Sequence, residues 1–136
     1  GCDIEDALSC ALGHEVDEAV RKSLESVGLA GFEPRSPHHL STGEKRRVCL
    51  AGVLACSPGL LLLDEPSSGL DPRGRRGLAE LLRGLAATIV VASHDLVFVR
   101  RVCSRVIVLD GGCVAADGPA EAVLTNEALL LRHGLA

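Results

Sequence analysis

Three short, continuous apolar runs constrain this chain most: Leu60-Leu61-Leu62-Leu63, Thr88-Ile89-Val90-Val91-Ala92 and Val106-Ile107-Val108-Leu109. Each is bounded by polar or turn residues. Uninterrupted apolar runs of this length suit strands buried on both faces, as in a parallel sheet. Between the first two lies a helical pattern from Asp71 to Leu85, with Asp71 at the N-cap and Pro72 at the first helical position. Between the second and third lies another, from Asp95 to Cys103. Strand, helix, strand, helix, strand makes parallel βαβ units. Cys113 to Ala116 adds a candidate edge strand after the Gly111-Gly112 turn, and short helices close the chain.

The first third reads differently. Asp3 to Leu12 and Val16 to Val27 form two helical patterns, the second with Val16, Ala19, Val20, Leu24 and Val27 on one face. A loop carrying Pro34 and Pro37 follows, and Gly43 to Cys56 reads as a helix that starts basic (Lys45, Arg46, Arg47) and turns apolar. The expected fold class is therefore α/β, a helical subdomain followed by a parallel βαβ core. The divisions are 1–39, a helical region, 40–118, the α/β core, and 119–136, the C-terminal helices.

Composition narrows the function classes. With 47% hydrophobic and 24% charged residues the chain is globular rather than disordered. A net charge of −4 excludes a generally basic nucleic-acid binder. Two Phe, no Trp and no Tyr leave nothing for base stacking and a core of aliphatic residues. The six Cys include no CxxC pair and no partnering His at zinc spacing. Cys49 and Cys56 lie seven apart on one helical face, and the expectation is that the cysteines act as small, buried, reduced residues of a cytosolic protein. The acidic N-terminal stretch lacks the apolar region of a signal peptide. The apolar stretch from Val48 to Leu63 is broken by Ser57-Pro58-Gly59, so neither half reaches the ~20 residues a bilayer needs.

Chemistry concentrates at the ends of the apolar runs. Leu60 to Leu63 ends in Asp64-Glu65, and a buried parallel strand delivers such residues to the carboxyl edge of the sheet, where open α/β folds bind ligands. Two carboxylates there can divide labour, one holding a metal and the other orienting or deprotonating a water. Thr88 to Ala92 ends in Ser93-His94-Asp95, and a right-handed βαβ unit places His94 near Glu65. Leu40-Ser41-Thr42-Gly43-Glu44 reads as a capping box, Ser41 at N-cap and Glu44 at the third helical position. The same helix start, with its outward amides, is also a candidate phosphate site. The two readings are compatible.

These residues carry a resemblance. Leu40 to Glu44, Leu60 to Glu65, Ser68-Gly69-Leu70-Asp71 and His94 resemble, in order and spacing, the signature motif, the Walker B strand with its glutamate, the D-loop and the switch histidine of the ATP-binding-cassette (ABC) ATPases. Pro37-His38-His39, Lys45-Arg46-Arg47, Asp71-Pro72-Arg73-Gly74-Arg75-Arg76 and Arg105 to Gly112 resemble the energy-coupling-factor type, which serves cobalt, nickel and vitamin importers. The resemblance implies a partial P-loop NTPase fold, ATP and Mg²⁺, a second ATPase subunit in a homo- or heterodimer, and a transmembrane partner. It implies a peripheral place at the cytoplasmic face of the membrane. Asp64 would hold Mg²⁺, Glu65 would polarise the attacking water, His94 would contact the γ-phosphate and Asp71 would reach across the dimer. Ser41, Thr42, Gly43 and Glu44 would lie at the γ-phosphate bound by the opposite subunit. Thr42 stands where many members have Gly, and Glu44 where Gln is common.

The sequence contains no GxxxxGK[ST] and no Gln, so neither the phosphate loop nor the family's Q-loop residue is present. An N-terminally truncated ATPase, inactive alone, is the expectation. The alternative is a nonenzymatic half-domain that completes a partner's ATP site in trans. A DNA-repair member would need a coiled coil before the signature, which the residues ahead of Leu40 do not supply.

Overall fold

A computed structural model of the chain describes Ile4 and residues 16–135. Of the helix expected over Asp3–Leu12 only Ile4, helical and buried, is described; its other residues lie outside the described residues, as do Cys2 and Cys10. The chain divides into two compact units, Gly1–Gly59 and Leu60–Ala136.

In the first unit, helix α1 (Val16–Ser26) buries Val20, Leu24 and Val27 along one stripe, the spacing that the apolar periodicity demands. Its end is a Schellman turn. Gly28 takes φ +72°, its N–H donates to the Glu25 carbonyl at 2.9 Å, and Leu29 N–H donates to Leu24 at 2.8 Å. Leu24 and Leu29 are both buried, which supplies the apolar contact that accompanies this motif. A 3₁₀ turn (Pro37–His39) leads into α2 (Thr42–Ala55), which buries Leu50 and Ala51 and packs against α1.

In the second unit, β1 (Leu60–Asp64) and β2 (Thr88–Ala92) pair in parallel, with Leu60 opposite Thr88 and Asp64 opposite Ala92. Helix α3 (Pro72–Arg83) is the crossover between them, and α4 (Leu96–Val102) follows β2. β3 (Arg105–Asp110), β4 (Cys113–Pro119), α5 (Ala120–Leu124) and α6 (Glu127–Arg132) complete the unit. Its core gathers Leu61, Ala79, Leu82, Phe98, Val99, Val108, Ala120, Val123 and Leu130.

Three expectations are corrected. β3 does not extend the parallel sheet. It pairs antiparallel with β4 as a separate two-stranded sheet, because Gly111 and Gly112 both take positive φ (54° and 78°) and fold the chain back at once. Such a two-residue turn matches the twist of an antiparallel hairpin. The apolar runs are also not buried on both faces among the described residues. Leu61 is 3% exposed, whereas Leu60, Leu62 and Val90 are 54%, 68% and 52% exposed, the alternation of a sheet covered on one side. The four cysteines among the described residues, finally, are free thiols that do not form the core. Cys49, Cys56 and Cys113 are exposed and Cys103 is half-buried. α2 buries the face that carries Leu50 and Ala51, so the stripe through Cys49 and Cys56 turns outward. Among the described residues no helix is long and apolar enough to cross a membrane.

Candidate functional site at the ends of β1 and β2

Parallel pairing brings the carboxyl ends of β1 and β2 side by side. Glu65 N–H donates to the Ala92 carbonyl at 2.9 Å, one rung beyond the regular strands. Glu65 itself takes φ +43°, a left-handed conformation rare for a side chain with a Cβ and costing on the order of 1–2 kcal/mol. Its carboxylate is then gripped by the end of β2. His94 Nδ1 lies 2.7 Å from Oε1, the His94 backbone N–H donates to the same oxygen at 3.0 Å, and Ser93 Oγ donates to Oε2 at 3.1 Å. The His94 ring hydrogen bond, followed by its backbone N–H and Ser93, holds the Glu65 carboxyl below the usual carboxylate range against the opposing effect of desolvation. An ionised Glu65 only accepts, so His94 Nδ1 carries the shared proton and Nε2 has no partner among the described residues. The His94 side chain is 80% exposed. The structure thus brings Glu65 and His94 together, as their strand-end positions implied.

Asp64 is exposed and its carboxylate has no hydrogen bond among the described residues. Asp71 is engaged locally, its Oδ1 accepting Gly74 N–H at 2.8 Å as the N-cap of α3. In the other unit, Ser41 and Glu44 form the expected capping box. Ser41 N–H and Oγ–H both donate to Glu44 Oε2, at 2.8 and 2.6 Å, while Glu44 N–H donates to Ser41 Oγ at 3.3 Å. The Ser41 hydroxyl, then its backbone N–H, pull the Glu44 carboxyl below the usual range. Thr42 and Gly43 open α2 beside them, Thr42 exposed.

Sequence reasoning passed over the residues that brace this pair. Ser93 holds Glu65 directly. Asp95 caps α4 through Phe98 N–H at 3.0 Å, takes a hydrogen bond from the buried Ser67 at 3.1 Å, and lies 3.3 Å from Arg75 Nη1. The Phe98 N–H first, then Ser67 and Arg75, lower the Asp95 carboxyl. Ser93 and Asp95 flank His94, and that adjacency was the one sequence signal available.

The family model described as "AAA domain, putative AbiEii toxin, Type IV TA system" matches residues 15–100. A Streptomyces coelicolor protein named "Putative ABC transporter ATP-binding protein" is 47% identical over 123 residues, 90% of this chain and 47% of its own length. The "Energy-coupling factor transporter ATP-binding protein EcfA" of Methanothermobacter thermautotrophicus is 42% identical over 124 residues, 89% of this chain and 40% of its own. The solved "Structure of cbiO1 from clostridium perfringens: Part of the ABC transporter complex cbiONQ" superposes with TM-score 0.84 at 30% identity, covering 98% of this chain and 57% of that one. The chain spans about half the length of the curated relatives it matches. The sequence similarity and an α/β core that superposes on an ABC transporter ATPase agree: the chain belongs to the ABC transporter ATP-binding protein family.

Proposed function

We propose that the chain supplies the signature helix and the catalytic carboxylate of an ATP-hydrolysing subunit in an ABC importer of energy-coupling-factor type, one that takes up cobalt, nickel or a vitamin. The observation that carries the reading is the Glu65–His94 pair at adjacent parallel strand ends. Relatives named as energy-coupling-factor ATP-binding proteins support the narrower type. The subunit works in a homo- or heterodimer against a transmembrane partner, at the cytoplasmic face of the membrane, with no nucleic acid. Residues 1–39 face the membrane partner, 40–118 form the nucleotide-handling core and 119–136 close it.

Phosphoryl transfer asks for positioning and charge stabilisation. Glu65, ionised and held at both oxygens, accepts a proton from a water and aligns it. His94 in its imidazolium form donates from Nδ1 to Glu65 and from Nε2 to a phosphoryl oxygen, which links the two ends of the attack. Asp64, one exposed carboxylate beside them, would hold Mg²⁺, a hard cation suited to an oxygen ligand. The ion would supply charge neutralisation at the phosphate. The start of α2, with Ser41, Thr42 and Gly43, meets the γ-phosphate of the opposite subunit, where helix amides favour negative charge. Glu44 sets a condition on that meeting. Its carboxylate holds the Ser41 hydroxyl proton, so Ser41 must turn from Glu44 to donate to phosphate. Asp71 keeps one carboxylate oxygen on its cap and has the other for the dimer.

The test is made in a strain that carries the gene. Glu65→Gln and, separately, His94→Ala should abolish ATP-dependent uptake of one of labelled cobalt, nickel or vitamin and lower membrane ATPase at least a hundredfold. ATPase that survives both substitutions refutes the catalytic roles. ATPase that falls while uptake of all these cargoes stays unchanged refutes the importer type.

A further inference from the structure

Three arginines, Arg73, Arg75 and Arg76, crowd the first turns of α3, where the helix dipole disfavours cations and the first turn itself holds no acidic residue. Arg73 and Arg76 form no ion pair among the described residues. Arg75 does something different. Its Nε donates to the Leu70 carbonyl at 3.1 Å, and its Nη1 lies 3.3 Å from Asp95 Oδ2. It thereby spans from the turn before α3 to the residue after His94.

Asp95 is the junction. The same Oδ2 accepts from Ser67, which is 2% exposed and sits in the segment joining Glu65 to Asp71. Oδ1 accepts Phe98 N–H. The Asp95 backbone N–H donates to Ser93 Oγ at 3.2 Å, and that hydroxyl donates onward to Glu65 Oε2 at 3.1 Å. A continuous line of polar contacts, three hydrogen bonds and the Arg75–Asp95 ion pair, therefore runs from the Leu70 carbonyl through Arg75, Asp95 and Ser93 to the carboxylate of Glu65.

We propose that Arg75 is a positioning residue for Glu65: with Ser67 it fixes Asp95, Asp95 sets the Ser93 hydroxyl, and a push on the Leu70–Asp71 turn is delivered along this line to the carboxylate. The role in catalysis rests on the reading of Glu65 given above, whereas the mechanical link stands on the side-chain geometry alone. A contact made at Asp71 by a second subunit would then reach the water-aligning oxygen without passing through the sheet.

The experiment is amide hydrogen exchange and ¹H–¹⁵N spectroscopy on the whole chain. His94 N–H, which donates to Glu65 Oε1, is the reporter. In Arg75→Ala its exchange should quicken about fivefold, the upper end for a half-exposed ion pair, with shift changes at Glu65, Ser93 and residues 66–71. Protected amides within β1 and β2 should stay within about twofold. Arg75→Lys keeps the charge but cannot span both acceptors with a fork, so it should restore part of the protection and not all. A uniform loss through the unit, or an unchanged His94 amide, overturns the proposal. A second measurement needs no substitution: 0.5 M NaCl should perturb the same amides in the unaltered chain and leave Arg75→Ala indifferent. Salt acting equally on both overturns it as well. Neither readout uses nucleotide, so failure here and failure of the ATPase reading are separate results.

Discussion

Gly74 and Asp71 together make a sharp prediction. Gly74 is the third residue of α3, and replacing Gly by Ala in a helix gains about 0.5–1 kcal/mol. A Cβ built there, however, meets Asp71 Oδ1 at 2.8 Å, the same atom that accepts Gly74 N–H. The Asp71 side chain would have to swing away, and loss of an N-cap costs about 1 kcal/mol. Gly74→Ala alone should therefore change stability by close to zero, and Asp71→Ala alone should lower it by about 1 kcal/mol. In the Asp71→Ala background the obstacle is gone, so Gly74→Ala should stabilise by its full ~0.5–1 kcal/mol. The cycle predicts a coupling of about 1 kcal/mol, read from urea unfolding followed by circular dichroism. Equal increments from Gly74→Ala in both backgrounds would refute the reasoning, since the cap and the Cβ would then not compete for the same space.

Four further outcomes follow from the same geometry. Ser41→Ala removes the N-cap of α2 and should cost about 1 kcal/mol in the same urea assay. The Glu44 carboxyl lies below its unfolded value, so its share of stability is complete above the ordinary glutamate range and is lost as pH falls through the folded value; Glu44→Gln should give a shallower decline of the urea midpoint between neutral and acid pH. Under native conditions a thiol-alkylating reagent should modify Cys49, Cys56 and Cys113 quickly and Cys103 slowest, because burial pushes the Cys103 thiol up, and peptide mapping of partly labelled chain reads the order. The 136-residue chain by itself should release no phosphate from ATP above its Glu65→Gln variant, since its sequence holds no phosphate loop.

Local features of this chain were legible from residues alone. The four leucines ending in Asp64-Glu65 marked a strand and the carboxylates at its end together, and Asp71-Pro72 and Ser41 to Glu44 marked helix starts by the atoms they offer as caps. Glu65 meeting His94 followed from βαβ handedness. What escaped depended on partners distant in sequence or on which face a helix buries. The run Val106 to Leu109 announced a strand, but its partner was chosen by two glycines after it. Ser67 and Asp95 lie 28 residues apart and share no periodicity, so only the fold introduces them. α2 lacks a clean apolar stripe, and nothing in its spacing says that Leu50 turns inward while Cys49 turns out.

The left-handed backbone of Glu65 has a consequence for variation at this position. Gly, or to a lesser degree Asn, accepts that conformation at little cost, so either would relax the local backbone strain. Each would also remove the carboxylate that the end of β2 is arranged to grip. A selection for thermal resistance alone would be drawn toward Gly or Asn at 65 and, in winning stability, would breed out the carboxylate on which the proposed hydrolysis depends.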